Sequence, residues 1–349
     1  MTRFALLFVL CALLPAVADD FAPFAPVKDW KKQGLPAVEG DAPTGVNPFA
    51  WLTQAQRPDG SWASPNGKHD IATTGLVVLN FLGNGQTHRF GKFKTTLKGA
   101  MSFLERALID PPELMWLDRS VHCWALAEAL AVSRDFRLKK HVKQSLTALL
   151  ALRTEEGGWA NGEGQAANTL ATSFGVMALK AVKSAQIEVD EQAFERARAV
   201  LISRSDDLGN AGFVQPGDAA SLAYGEAKDA SGPLFTASAL VTRLFTGDRR
   251  NDLALRNAAD TLLAAGLGTD EPLYTYFATY ALFQVGGEGW DSWHEALIPT
   301  LLQQQVGQGE HAGSWEPRGV LGQLCGRAGE TALRGLTLEL YYRYERATR

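Results

Sequence analysis

The chain has 349 residues, with 34 lysines and arginines against 38 acidic residues, three cysteines and a net charge of −4. With no basic excess and no cluster of lysines and arginines, nothing in it attracts nucleic acid. Three cysteines are too few to build a disulfide-held fold, and a chain of this length buries a large core without one.

Residues 1–18, MTRFALLFVLCALLPAVA, join one early arginine to an apolar run and a small-x-small ending at Ala16 and Ala18, the pattern of a signal peptide. The expected mature protein starts at Asp19 and is exported, periplasmic or secreted, with no transmembrane segment. Cys11 follows Leu10 rather than a small residue, which argues against a lipid anchor. Residues 19–47 carry Pro23, Pro26, Pro36 and Pro43 with little periodicity and read as an extended, Pro-rich lead segment. The folded unit is then 48–349.

From there the chain repeats itself as six helical pairs, each an amphipathic helix, a glycine-containing loop and a helix rich in small residues. The second helices open near Asp70, Asp118, Asn168, Gly232, Glu271 and Glu330, and are apolar nearly all round. That pattern predicts an inner ring packed on both sides. The first helices, such as those from His141 and Asp190, have one charged face and belong outside. Helix follows helix with no strand-like alternation, so the expected fold is all-α, an (α/α)6 toroid of six helical hairpins, with an open solenoid as the alternative.

The turn between paired helices has its own signature. WLTQAQRPDGSW runs from Trp51 to Trp62, and LLALRTEEGGW repeats the spacing from Leu149 to Trp159. A glycine permits the unusual backbone angle of such a turn, and an indole covers the helix ends while its N–H finds a carbonyl. Gln56, Gly60 and Trp62 therefore read as a structural motif, as do Gly157 with Trp159 and Gly313 with Trp315. Arg153 stands where Gln56 does, and the fourth repeat offers Gly212 and Phe213.

The spacing aromatic-Leu-x-x-x-Gln-x-x-x-Gly-x-Trp resembles the QW repeat of squalene and oxidosqualene cyclases, which is related to the repeats of protein prenyltransferase β-subunits. The resemblance runs from Pro48 to the C-terminus and implies an α/α toroid in which the repeats are scaffolding. It implies catalysis only where the family's motifs are present. The acidic DxDD of the cyclases is missing, as are the Asp-x-Cys zinc pair of the prenyltransferases and the GCGEQ of complement-type thioester domains. The nearest acidic pairs, Asp206 with Asp207 and Asp270 with Glu271, read as solvated.

Candidate ligand-binding residues gather where the inner helices begin. Asp118 and His122 are four apart and share a helix face, Asp70 opens the first inner helix, and Arg327 and Glu330 open the last. The plainer reading makes Asp70 and Asp118 helix caps. Tyr274, Tyr276 and Phe277 sit in the most aromatic inner helix, where such residues line a lumen or simply pack. No metal site and no cofactor is expected, and Cys123 and Cys325, in the second and sixth repeats, are expected to stay unpaired. The sequence leans away from an enzyme and toward a protein that binds a lipid, an isoprenoid-like molecule or a protein partner. The alternative is a hydrolase, lyase or cyclase-like enzyme with an acidic or metal site at the toroid mouth.

Overall fold

A computed structural model describes residues 46–107, 114–218 and 232–343; the segments expected to be a signal peptide and a Pro-rich lead, up to residue 45, lie outside these, as do the side chains of Tyr341 and Tyr342. Among the described residues, twelve α-helices alternate between two rings. The outer ones are α1 (Pro48–Gln54), α3 (Lys94–Arg106), α5 (Lys139–Ala151), α7 (Glu191–Ser203), α9 (Leu253–Ala265) and α11 (Glu288–Gln303). The inner ones are α2 (Asp70–Gly83), α4 (Trp116–Ser133), α6 (Thr169–Ser184), α8 (Gly232–Phe245), α10 (Pro272–Val285) and α12 (Gly319–Arg343). Burial follows composition: α10 buries every residue but its last, whereas α5 buries only a stripe of Val142, Ser145, Leu146, Ala148 and Leu149. Helix starts follow local chemistry, with Pro48 behind an Asn47 cap and Asn168 accepting from Ala171 N–H. The last inner helix differs from expectation, since it begins before Glu330 and breaks at Gly326 (φ 64°, ψ −163°).

Each inner helix packs on the next, and α12 packs back on α2. That contact makes the ring a closed toroid and removes the open solenoid. A side-chain amide fastens the same seam: Gln305 donates to Val46 O (2.7 Å) and accepts from Val46 N–H (2.8 Å). Among the described residues there is no β-strand, only isolated bridges such as Arg153 with Trp159.

The turn motif makes the same hydrogen bonds in each repeat that carries it. Gly60 has φ +96°, and a Cβ there would lie 2.2 Å from Gly99 O. Trp62 N–H donates to Thr74 Oγ1 (3.1 Å), while its indole N–H reaches back to Leu52 O (2.7 Å). Trp159 repeats this with Thr172 and Leu149, and Trp315 with Thr331 and Leu301. Gln56 donates to Gly60 O and to Thr96 O in the neighbouring outer helix, both at 2.9 Å; Arg153 makes the first of these bonds in its own repeat, to Gly157 O. In the fourth repeat the equivalents are Gly209 (φ +84°) and Ala211, whose N–H donates to Thr236 Oγ1. Gly212 and Phe213 are therefore the wrong register, because replacing the tryptophan by alanine erased the visible signal.

A common target emerges. In all six hairpins a carbonyl in the last turn of the outer helix, on a fully buried leucine, accepts a side-chain donor. Trp62, Trp159 and Trp315 serve Leu52, Leu149 and Leu301; His122 serves Leu104 (2.8 Å), Ser205 serves Leu201 (2.9 Å) and Tyr274 serves Leu262 (3.2 Å). Substituting Trp62 or Trp159 by alanine is expected to lower the unfolding free energy by about 3 kcal/mol. Urea unfolding followed by circular dichroism checks this, and a parent-like midpoint would contradict it.

Candidate functional site

Each inner helix is returned by an outer one, so all inner helices run parallel and their starts share one mouth. Two polar groups occupy it. The first joins α2 to α4: Asp118 is fully buried, with Oδ2 2.7 Å from His69 Nδ1 and Oδ1 accepting from Ala72 N–H (2.9 Å). Asp118 thus caps its neighbour α2 and not its own helix. Because a carboxylate only accepts, neutral His69 is held with its proton on Nδ1, and Nε2 has no partner among the described residues. Asp70 secures the preceding loop, accepting from Ser64 N–H (2.7 Å), Ser64 Oγ (2.8 Å) and Arg57 (2.6 Å).

The second group lies between α10 and α12. Glu330 is fully buried and pairs with Arg334 (3.0 Å), one helical turn on, and with Arg318 N–H (3.3 Å). Burial pushes its carboxyl up to about 7, with Glu271 adding to the rise and Arg334 opposing it. Glu271, which the sequence reads as solvated, accepts from Val320 N–H (2.9 Å) and Leu273 N–H (3.2 Å), and burial raises it too. Arg334 was not singled out from sequence; its i,i+4 spacing from Glu330 was the available signal. Arg327 turns to Glu316 (2.5 Å) and Ser314 (3.1 Å).

The structure does not pair Asp118 with His122. The His122 imidazole faces the outer ring, bonding Ser145 Oγ through Nδ1 (2.8 Å) and Leu104 O through Nε2. Since a carbonyl only accepts, Nε2 carries the proton, and burial holds the ring neutral with its pKa lowered to about 4. Tyr274 likewise points outward, to Leu262 O and Gly266 O. Tyr276 and Phe277 behave differently. Trp116 of α4 contacts Phe174 of α6 (centroids 5.4 Å), and Phe174 meets Phe277 of α10 (5.5 Å) although α8 stands between those helices in the ring. Rings therefore meet across the lumen, and Tyr276 continues the series from Phe277 to Tyr280 and on to Phe245 of α8. The Tyr276 hydroxyl is buried without a hydrogen-bond partner.

Cys123 and Cys325 are free and fully buried. Burial pushes the Cys123 thiol up to about 12 and raises Cys325 as well, which suits packing and not nucleophilic chemistry. Among the described residues no group of three or more His, Cys, Asp or Glu side chains is arranged to hold a metal ion, and no helix is long and apolar enough to cross a membrane.

Among solved structures, the type II terpene cyclase MstE from Scytonema is similar at 13% identity and TM-score 0.57, over 83% of this chain and 95% of its own. The fold is that of a terpenoid-cyclase-like α/α toroid. MstE bound to geranylgeranyl dihydroxybenzoate gives a TM-score of 0.58, also at 13% identity, over 84% and 95% of the two chains. An α-1,6-mannanase from Salegentibacter matches as well, at 11% identity and TM-score 0.58 over 84% and 96%. No protein-family model and no curated protein matches the chain. At these identities the likeness is one of architecture.

His122 and Glu330 give opposite pH dependences. His122 stays neutral in the fold down to about 4, whereas an unfolded histidine protonates near 6.5, so its contribution is complete above that value and is lost as pH falls toward 4. The full window is worth about 3 kcal/mol. Glu330 acts the other way, since its raised pKa favours the fold at low pH and that contribution is lost as pH rises through 7. Measuring a variant against the parent isolates one group: His122→Gln is expected to cost about 2 kcal/mol less at pH 5 than at pH 7 in urea unfolding. An equal cost at both would show that the imidazole is not buried neutral.

Proposed function

We propose that the protein is a binding toroid that takes an amphipathic, lipid or isoprenoid-like ligand at the mouth where the inner helices begin, above the rings that meet across the lumen. The observation that carries this reading is Tyr276, a buried hydroxyl with no partner in an aromatic series contributed by α4, α6, α8 and α10. An unmade hydrogen bond at such a group costs about 1–3 kcal/mol, which a ligand oxygen would recover. Apolar rings with a few convergent polar groups are the usual make-up of a small-molecule site. The neighbouring cyclase is known bound to geranylgeranyl dihydroxybenzoate, an isoprenoid chain with a polar head, which supports the same ligand class here. The absence of the cyclase and prenyltransferase motifs from the sequence supports binding without turnover. Action outside the cytoplasm follows from the signal-like residues 1–18.

A second reading, an acid–base enzyme at the mouth, is favoured by one observation. His69 is oriented by Asp118 with Nε2 unbonded, the arrangement of a general base, and Glu330 titrates near neutrality. The neighbouring mannanase keeps a hydrolase within the reach of the architecture.

Native mass spectrometry of protein from its own host is expected to reveal a bound lipid-sized mass, and Tyr276→Phe to weaken binding of geranylgeraniol about tenfold. A lumen without such a mass, in a protein indifferent to geranylgeraniol, would sink the binding reading. Stoichiometric co-purification of another protein would then favour a protein partner. Turnover of an isoprenoid or glycan that disappears in His69→Gln would favour the enzyme.

A further inference from the structure

A cleft of about 510 Å³ opens on the outer wall at the opposite end of the toroid, where α2 and α4 finish and α3 and α5 begin. Its cationic lining is Arg89, Lys94, Lys98 and Arg137, with His88 and His141 beside them; the acids are Asp135 and Glu105. The acids are already engaged. Asp135 receives Arg137 through Nε (2.9 Å) and a terminal guanidinium nitrogen (2.6 Å) and touches His88 Nε2 (3.0 Å), and Glu105 lies 3.7 Å from His141. Arg89 reaches only the carbonyls of Ser133 and Arg134. Lys94 and Lys98 are exposed and have no carboxylate partner among the described residues. In a protein of net charge −4, three uncompensated cations in one cleft are a local reversal of sign.

Helix geometry adds to it. The α3 N-terminus has no side-chain cap, and its first helical bond is Leu97 N–H to Phe93 O, which leaves the Thr95 and Thr96 N–H groups without a helical acceptor. An acidic residue is the stabilising choice there, yet the first turn holds Lys94 and no acid, and α5 also begins with lysines. The arrangement gives up stability in the free protein and gains it when an anion arrives. Independently, His88 is more than nine-tenths buried on the cleft wall and its Nδ1 has no partner; with Nε2 donating to Asp135, Nδ1 of the neutral ring is left as an acceptor for a hydroxyl carried by the ligand's organic moiety.

We infer that this cleft binds a tetrahedral oxyanion, a phosphate or sulfate ester, between Lys94, Lys98 and Arg89. Its volume exceeds what a bare anion fills and suits an ester group with a small organic moiety packed on Met101 and Leu138. This site is separate from the lumen and does not depend on what the lumen holds.

The test is titration calorimetry of the full chain at low ionic strength with inorganic phosphate, inorganic sulfate and glycerol phosphate, alongside flotation with phosphatidylcholine vesicles containing phosphatidic acid. Saturable binding of a soluble probe, weakened at least about tenfold in Lys94→Gln/Lys98→Gln and unchanged in the charge-matched Arg249→Gln/Arg250→Gln, is the expected result. Flotation alone, with the same dependence on the two lysines, would assign the phosphate to a lipid headgroup. No binding of any soluble probe or vesicle, or equal weakening in both double variants, would overturn the site.

Discussion

The architecture rests on satisfying one carbonyl per hairpin. Packing six outer helices against an inner ring buries the last turn of each, where the ladder of i to i+4 bonds stops and water no longer reaches. At Leu104, Leu149 and Leu301 the backbone offers that oxygen only a tightened i+3 contact of 3.2 Å. A side chain supplies the other bond, an indole, imidazole, phenol or hydroxyl according to the repeat. Donors that arrive from the loop, as the tryptophans do, bring the turn glycine and the Thr74-type bond with them. Donors that arrive from the inner helix, as His122 and Tyr274 do, leave the loop free to vary.

This explains what could be read in advance. The twelve helices, their inner and outer roles and the indole-to-carbonyl bonds of Trp62, Trp159 and Trp315 were legible because small-residue helices and the Gly-x-Trp spacing are local patterns. The fourth repeat was misread at Gly212 because Ala211 carries no indole to mark it. His122 and Tyr274 looked like rim or lumen residues because residue type and helical spacing do not reveal which neighbour a side chain faces. Their role became visible only once the leucine carbonyls of the adjoining helices were in view. The buried state of Glu330 and the half-buried state of Glu271 depend on α10 and α12 meeting, a contact no single repeat contains.

The two ends of the ring differ in electrostatic character as a result. At the mouth, carboxylates are drawn inward and matched: Asp118 to a histidine and a helix N-terminus, Glu330 to Arg334. At the far end, lysines stand at helix starts with no matching acid. Charge at the mouth fixes helices to one another, while charge at the far end faces solvent, so the same residue classes serve cohesion on one face and display on the other.

The amide clasp between Gln305 and Val46 joins residues 259 positions apart, and the α12 to α2 seam beside it spans a similar distance. The other helix-on-helix packings of the inner ring join adjacent repeats, and the Phe174 to Phe277 contact reaches across it. By loop-closure entropy, shutting this circuit from an extended array costs roughly 2 kcal/mol more than closing a hairpin of about 20 residues. The hairpins therefore assemble by short steps and the hoop shuts last, which makes folding speed a property of the seam. Without this seam the same hairpins would form an open array, with the facing sides of α2 and α12 left to water.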